Sequence, residues 1–470
     1  MKLLLADPPA LERKYDNSYP NLGILYLLAY VRDSFGDALK LKYLESFVTL
    51  EEHLRSVASF GPDIYGISFT SKTSSLAYKT IDAIKTRFPE ILVLAGGPHV
   101  TAMPEEVLQT SKADICVIGE GEQTLSQILE SKLIGRSRFE EVPGIAYRQG
   151  ERTIRTQRRE FITNLDDIPF PAREFVQDPT LYHGNFLRRQ KLEASVLTSR
   201  GCPFNCCFCS NPVWKSAKPW LRQRSVRNIL EEVQSLYEKG VREIYFSSDE
   251  INFNEKWAIE LFEEIRTKDH RDLFLQCNLR ADKISRELVR AMKEANCWLA
   301  HMGMESGNDR VLRGIGKNIT VKQIREAVSL LSEAQIRVFA FMMLYNVWEE
   351  DGRLEHESSL EVDNSINLCM EFYRKRQIHY MSWQFCTPMP GSRLFPIASK
   401  YNLFRQALDK TWERYDEHDV SMRLPGISLR QMKWRNRKGI LLKDWYLLRS
   451  GSVNWRHLWR IRENLAALFR

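Results

Sequence analysis

The sequence predicts an α/β protein in three parts: an N-terminal doubly wound parallel sheet, a partial, open (β/α)6 barrel, and a helical basic C-terminal extension. Three observations carry this. Apolar runs of strand length alternate with helix-period segments through the first 130 residues. A second alternation, of six βα-type units, begins at Glu193. After Tyr401 the alternation stops, and Trp and Arg accumulate.

In the first alternation, strands are expected at Lys2–Ala6, Leu39–Leu44, Asp63–Phe69, Ile91–Ala95 and Asp114–Ile118. Helices are expected at Leu22–Ser34, Leu50–Phe60, Ser74–Phe88, Pro104–Thr110 and Glu122–Lys132. Ligands of such sheets bind beyond the carboxyl ends of the strands. The chain there is polar and loop-like: Asp7-Pro8-Pro9, Thr70-Ser71-Lys72, Gly96-Gly97-Pro98-His99 and Gly119-Glu120-Gly121-Glu122. This domain covers residues 1–134. Residues 135–190 read as a connecting segment, with a small hairpin at Gly144–Ile154 and a stretch in which Pro169 and Pro171 disfavour regular structure.

The barrel covers residues 191–400. Its strands are expected at Ala194–Ser199, Glu243–Ser247, Leu273–Asn278, Leu299–Met304, Val338–Leu344 and His379–Phe385. Its helices fit Val226–Lys239, Glu255–Lys268, Arg286–Ala295, Val321–Ala334 and Ser359–Arg374. In parallel barrels the chemistry sits at the C-terminal ends of the strands. Residues 401–470 form the extension.

Composition narrows the class. Hydrophobic residues make up 43% and charged residues 27% of the chain, ordinary for a folded domain. No apolar run approaches the length of a membrane span. The start, Met1 to Asp16, has an apolar run too short for a signal peptide and no small-residue cleavage site. The expected compartment is the cytoplasm, where thiols stay reduced. The net charge is +8, and from Arg430 to Arg470 eleven Lys and Arg stand against two Asp and Glu, net +9. The excess therefore lies in the tail, and nucleic acid is not expected as a partner.

Nine cysteines are present, and four of them fall between residues 202 and 209. A disulfide framework would spread them more evenly. Cys202, Cys206 and Cys209 form C-x3-C-x2-C in Gly201-Cys202-Pro203-Phe204-Asn205-Cys206-Cys207-Phe208-Cys209, just after the first barrel strand. Three thiolates on one loop can hold three irons of a cubane cluster and leave the fourth iron open to a small chelating molecule. Zinc would want four ligands, usually as two separated pairs, and only Cys207 is at hand as a fourth. A cluster of merely buried cysteines is the third reading. The spacing favours the iron–sulfur cluster, with Cys207 as a packing residue.

The loop and its position resemble the radical SAM superfamily, and the resemblance continues through nearly the whole chain. It implies a [4Fe–4S] cluster on Cys202, Cys206 and Cys209 and S-adenosylmethionine (SAM) as cofactor. Phe208, the aromatic before the last cysteine, matches the family residue whose backbone contacts adenine. Ser247-Ser248-Asp249-Glu250, after the second strand, matches the segment that holds the SAM amino group. Asn278 and Arg280 end the third strand, where polar SAM contacts are usual, and Glu305 lies in Gly303-Met304-Glu305-Ser306-Gly307, similar to the family's Glu-Ser segment. Pro388-Met389-Pro390-Gly391-Ser392 resembles its closing turn. Each acid taken alone reads equally as a helix cap or a surface charge; their shared place after successive strands favours the SAM site.

In the first domain, Pro20-Asn21-Leu22-Gly23-Ile24-Leu25-Tyr26-Leu27, Gly96-Gly97-Pro98-His99 and Ile118-Gly119-Glu120-Gly121-Glu122 look like the cobalamin-binding domain of one large radical SAM group, which includes class B methylases and the anaerobic magnesium-protoporphyrin ester cyclase. The resemblance implies cobalamin near Pro8, Pro9, Thr70, Ser71, Gly96, Gly97, Pro98, His99, Gly119, Glu120 and Gly121, with Gly96 and Gly97 giving close backbone approach. The D-x-H-x-x-G motif that supplies a histidine to cobalt in many cobalamin proteins is absent. The competing reading is a domain kept as scaffold. After the fifth barrel strand, Tyr345 and Trp348 stand where the family has a Gly-Pro-Gly type turn; they either shape a substrate pocket or pack.

The implied reaction is reductive cleavage of SAM to a 5′-deoxyadenosyl radical for cobalamin-dependent methylation of an unactivated carbon. Radical cyclisation or rearrangement on the same scaffold is the alternative, and a zinc-stabilised binding protein the distant one. The expected partners are a small-molecule substrate, apolar if the tail meets a membrane, and a one-electron reductase such as flavodoxin or ferredoxin. Trp434, Trp445, Trp455 and Trp459 among the tail's cations either anchor an interfacial helix at an anionic membrane or pack on the barrel.

Overall fold

The structure, a computed structural model, describes residues 1–9, 19–135, 139–182, 187–215, 217–405 and 419–449. Strands β1 (Lys2–Ala6), β2 (Lys40–Leu44), β3 (Ile64–Ser68), β4 (Leu92–Gly96) and β5 (Ile115–Val117) run parallel in the order β2-β1-β3-β4-β5. Successive side chains of a strand point to opposite faces. Leu4, Ala6, Ile67 and Val93 therefore join one apolar cluster, and Leu3, Leu5, Ile64 and Leu94 the other, with helices covering both.

Two features differ from the sequence expectation. The hairpin forms as β6 (Ile145–Gln149) and β7 (Arg152–Arg155), but β6 pairs antiparallel with β5 and continues the first sheet past residue 134. An open sheet edge presents unpaired backbone groups, and the hairpin covers this one. The Gly96–His99 turn also leads directly into a short helix, Pro98–Ala102, with proline at its first turn, where the missing N–H costs nothing.

The second sheet contains β8 (Glu193–Leu197), then a two-residue ribbon of β9 (Ser199–Arg200) with β10 (Arg222–Gln223), then β11 (Glu243–Ser247), β12 (Phe274–Leu279), β13 (Cys297–Glu305) and β14 (Arg337–Leu344). A hairpin, β15 (Val347–Glu350) and β16 (Arg353–His356), precedes β17 (Tyr380–Phe385). The parallel order is β8-β11-β12-β13-β14-β17, and β8 does not pair with β17, so the barrel is open. Ala300, Met302 and Met304 of β13, with Val338, Ala340 and Met342 of β14, face the covering helices. The alternate residues of these strands face inward, where the His301 ring lies 5.3 Å from both Tyr245 and Phe339. Ser225, Asn254, Ser285, Thr320 and Ser358 each cap the helix that follows, which is why the periodic segments begin where they do.

Tyr345 and Trp348 pack. Both are 1% exposed, and Trp348 covers Gly314 so closely that a Cβ there would stand 2.2 Å from the indole. In the tail, helix Leu429–Arg449 packs Gly439 against Trp383, stacks Tyr446 on Tyr373 at 4.9 Å, and ties Arg435 and Lys438 to Asp363. Trp434 and Trp445 remain 56% and 53% exposed. Trp455 and Trp459 lie outside the described residues. Among the described residues, no helix is long and apolar enough to cross a membrane.

Candidate functional site

The cysteine loop follows β9 and turns at Gly201, whose φ of +87° and 2.0 Å hypothetical Cβ distance to the Trp220 carbonyl oxygen require glycine. Backbone bonds from two distant loops hold it. Cys207 N–H donates to the Ile315 carbonyl at 2.8 Å, and Leu394 N–H donates to the Cys207 carbonyl at 2.8 Å. Lys215 donates to the Phe204 carbonyl at 2.7 Å, and Arg393 to that of Asn205 at 3.2 Å. Gly316 lets its loop approach, since a Cβ there would lie 2.9 Å from the Asn205 carbonyl oxygen.

The four cysteines divide. The Cys207 thiol donates to the Val347 carbonyl at 3.4 Å, deep in the core. Cys209 instead accepts from the Asn211 N–H at 3.4 Å, the kind of contact that tunes cluster sulfurs. Burial pushes the Cys202 thiol up to about 12 and the Cys209 thiol to about 11, so metal binding here would release protons. Zinc would want four ligands, and Cys207, the fourth cysteine of the loop, is turned away into the core toward the Val347 carbonyl. Three cysteines on one loop with N–H donors to sulfur fit a cluster.

A cavity of about 720 Å³ lies between the carboxyl ends of the two sheets. Gly96, Gly97, Pro98, Gly119, Glu120 and Gly121 wall it from one side, and Cys209, Asn211, Trp214, Ser248 and Asp249 from the other. Its glycine-lined, largely apolar wall, with an open space in front of Gly96, suits a large flat ligand. Gly97 serves a different end: its φ is +99°, and a Cβ would strike the Phe69 backbone at 2.7 Å.

The walls are joined by charge. Arg222 grips Glu120 with both terminal nitrogens, at 2.9 and 2.5 Å, and donates to the Ile162 carbonyl at 2.8 Å. Arg200 reaches Glu122 at 2.6 Å and Glu120 at 3.3 Å, with its guanidinium 5.5 Å from the Tyr26 ring centre. Burial works to raise the Glu122 carboxyl, but the charge and hydrogen bond of Arg200 hold it below its ordinary value.

Several of the expected site residues have protein partners of their own. Pro8, Pro9, Thr70, Ser71 and His99 do not wall the cavity. His99 is 1% exposed; its Nδ1 is 2.9 Å from Ser71 Oγ, and its Nε2 lies 2.9 Å from Tyr78 Oη and 3.0 Å from Glu106. The Phe208 side chain packs on the barrel core, and the contact expected of it is a backbone one. Asn278 accepts from the Tyr245 hydroxyl at 2.9 Å and donates to the Ser248 carbonyl at 2.7 Å, so it shapes the end of β11. Arg280 pairs with Asp282 at 2.7 Å and lies 3.7 Å over the Phe204 ring. Asp249 walls the cavity and accepts from Asn211 at 2.7 Å, while Glu250 and Glu305 converge on Lys317. Lys317, Arg200, Arg222 and Trp214 stand in no motif that sequence reasoning used; only the place of Arg200 beside the cysteine loop hinted at a role.

Comparison with known proteins agrees with this architecture. The Radical SAM superfamily model matches residues 196–360, and the B12 binding domain model matches residues 10–129. An uncharacterised methyltransferase from Pyrococcus horikoshii is 30% identical over 452 residues, covering 94% of this chain and 92% of that protein. The anaerobic magnesium-protoporphyrin IX monomethyl ester cyclase of Cereibacter sphaeroides is 25% identical over 80% of this chain, which spans 60% of that protein's length. The structure of OxsB, a cobalamin-dependent S-adenosylmethionine radical enzyme, superposes with a TM-score of 0.73 at 16% identity, over 99% of this chain and 70% of that one.

The division of the cysteines is testable. Alanine at Cys202, Cys206 or Cys209 is expected to abolish the visible absorbance and bound iron of the anaerobically reconstituted protein, while Cys207→Ala keeps both. Loss of the chromophore in Cys207→Ala with retention in Cys209→Ala would reverse the assignment.

Proposed function

This chain belongs to the radical SAM superfamily, in the group that also carries a B12-binding domain, and on that premise we propose that it methylates an unactivated carbon of a small molecule. The observation that carries the reading is the shared cavity. One wall comes from the glycine turns of the B12-binding sheet and the other from the cysteine loop and the end of β11, so the two cofactors and the substrate would meet in one shared space. When bound, the [4Fe–4S] cluster on Cys202, Cys206 and Cys209 supplies the electron that cleaves SAM, and cobalamin supplies the methyl group.

The chain's own residues orient and exclude. The loop bonds at Cys207 fix the three thiols, Asp249 and Glu250 present carboxylates beside them, and the Arg200–Glu122 and Arg222–Glu120 pairs close the seam against water. Both ring nitrogens of His99 are engaged, which supports a cobalt that takes no ligand from this protein. The reading brings with it a reducing, cytoplasmic setting and a one-electron donor such as flavodoxin or ferredoxin.

A second reading concerns the tail. Trp434, Leu441, Trp445 and Leu448 are exposed and recur at helical spacing along one side of helix Leu429–Arg449, with Arg430, Lys433 and Arg437 also exposed. Such a face fits an anionic membrane surface, where each cation adds about 1 kcal/mol, and it would favour an apolar substrate delivered from lipid.

Three outcomes are expected. Anaerobic turnover with methyl-labelled SAM against candidate extracts should yield a labelled product heavier by one CH2 unit; an unlabelled product of unchanged mass would favour rearrangement, and one lighter by two hydrogens an oxidative cyclisation. Reconstitution with hydroxocobalamin should give stoichiometric retention, and the cob(II)alamin EPR spectrum should lack superhyperfine splitting from a histidine nitrogen. Flotation with phosphatidylserine vesicles should fall as salt rises and fall again in a Trp434→Ser/Trp445→Ser chain; equal flotation by a chain ending at Ser428 would sink the membrane reading.

A further inference from the structure

Lys317 is 4% exposed and lies at the barrel mouth beside the cysteine loop. Its Nζ is 3.3 Å from Glu305 Oε1 and 3.9 Å from Glu250 Oε1. The backbone around it is built for that placement. Glu305 ends β13 with φ +61°, a left-handed conformation uncommon for a residue with a side chain, at a register shift between Gly303 and Glu305. The turn folds its carboxylate back over Gly303, where a Cβ would stand 2.5 Å from Glu305 Oε1 and 2.8 Å from Lys317 Nζ. The missing side chain of Gly303 is the space in which the ion pair lies. Arg280, itself paired with Asp282, donates to the Lys317 carbonyl and fixes the lysine from behind.

Two carboxylates and one ammonium leave a surplus negative charge in a buried place, and buried charge is costly without a partner. Lys317 makes a hydrogen-bonded ion pair with Glu305, whereas 3.9 Å to Glu250 is beyond hydrogen-bond reach. Burial accordingly raises the Glu250 carboxyl to about 7. Burial also works against the Lys317 charge, but Glu305 and Glu250 outweigh it and hold the ammonium above its ordinary range.

We propose that Lys317 is a positioning residue: by neutralising Glu305 it leaves Glu250, in the segment that the resemblance assigns to the SAM amino group, as the carboxylate open to receive it. The two acids, alike in their places at strand ends, thereby have different work: Glu305 anchors the lysine, and Glu250 meets the cofactor. The assignment rests on the radical SAM reading of this site.

The test is SAM affinity by equilibrium dialysis, with iron and sulfide measured alongside, for the reconstituted wild-type chain, Glu305→Gln, and the Glu305→Gln/Lys317→Met double variant. Glu305→Gln frees Lys317 to pair with Glu250 and is expected to weaken SAM binding about tenfold or more. Removing Lys317 as well uncovers Glu250 again and should return the affinity to within about threefold of wild type. All three proteins should hold full cluster iron, since the cysteines are untouched. A double variant no tighter than Glu305→Gln, a Glu305→Gln that binds like wild type, or loss of cluster in either variant overturns the assignment. Failure of the wild-type protein itself to bind SAM defeats the functional reading and the assignment together, and is told apart by the protein that shows it.

Discussion

Four charged side chains at the seam of the two sheets govern the geometry of the cavity. Arg200 and Arg222 leave the barrel on the ribbon after β8; Glu120 and Glu122 leave the first sheet on the turn after β5. Each pair is largely buried, and removing one partner of such a pair costs about 3–5 kcal/mol, because a charge is left in a poor dielectric. Replacing whole pairs with apolar residues is often neutral in stability. What these charges add is direction. A guanidinium that grips a carboxylate through both terminal nitrogens admits one relative placement, whereas apolar faces slide. That placement sets the glycine turns of one sheet opposite the cysteine loop of the other.

Within that frame the cysteine loop has little freedom of its own. It is short and lacks regular structure beyond its flanking ribbon, so its shape comes from partners: carbonyl and amide groups of the loops at Ile315 and Leu394, and glycines at 201 and 316 that let backbone meet backbone. The same contacts turn Cys207 into the core, toward the Val347 carbonyl. The hairpin β15–β16 that bears Val347 is thus part of the site's support. Its Trp348 and the neighbouring Tyr345 fill the core beneath the loop.

Electrostatics completes the mouth. Glu250, Glu305 and Asp282 gather around Lys317 and Arg280, with Asp249 at the exposed rim, and they are partnered unequally: Asp249 accepts from Asn211, Glu305 pairs with Lys317 and Asp282 with Arg280, while Glu250 stands 3.9 Å from the Lys317 ammonium. The asymmetry has a physical cause. Arg280 spreads its donors over Asp282 and the Lys317 carbonyl, so it cannot also serve Glu250, and the single ammonium of Lys317 is closer to Glu305.

The alternation of strands and helices, the open parallel barrel and the C-x3-C-x2-C spacing of Cys202, Cys206 and Cys209 were all legible along the chain. Periodicity, caps and ligand spacing act over a few residues, and the order of side chains states them directly. The helix at Leu50–Phe60, bounded by Thr49 and Gly61, needed nothing beyond its own segment. The tertiary structure alone decided which polar groups face the cavity. His99 follows a glycine turn that does wall the cavity, yet its ring is drawn into Ser71, Tyr78 and Glu106. Asn278 and Arg280 end the expected strand and are spent on Ser248 and Asp282. The hairpin after residue 144 joins a sheet edge rather than a linker. In each case the deciding partner lies far away in the chain, and a buried donor, acceptor or charge takes whichever partner packing brings within reach. Local pattern fixes what a residue can do; only the assembled core determines which of its partners it meets.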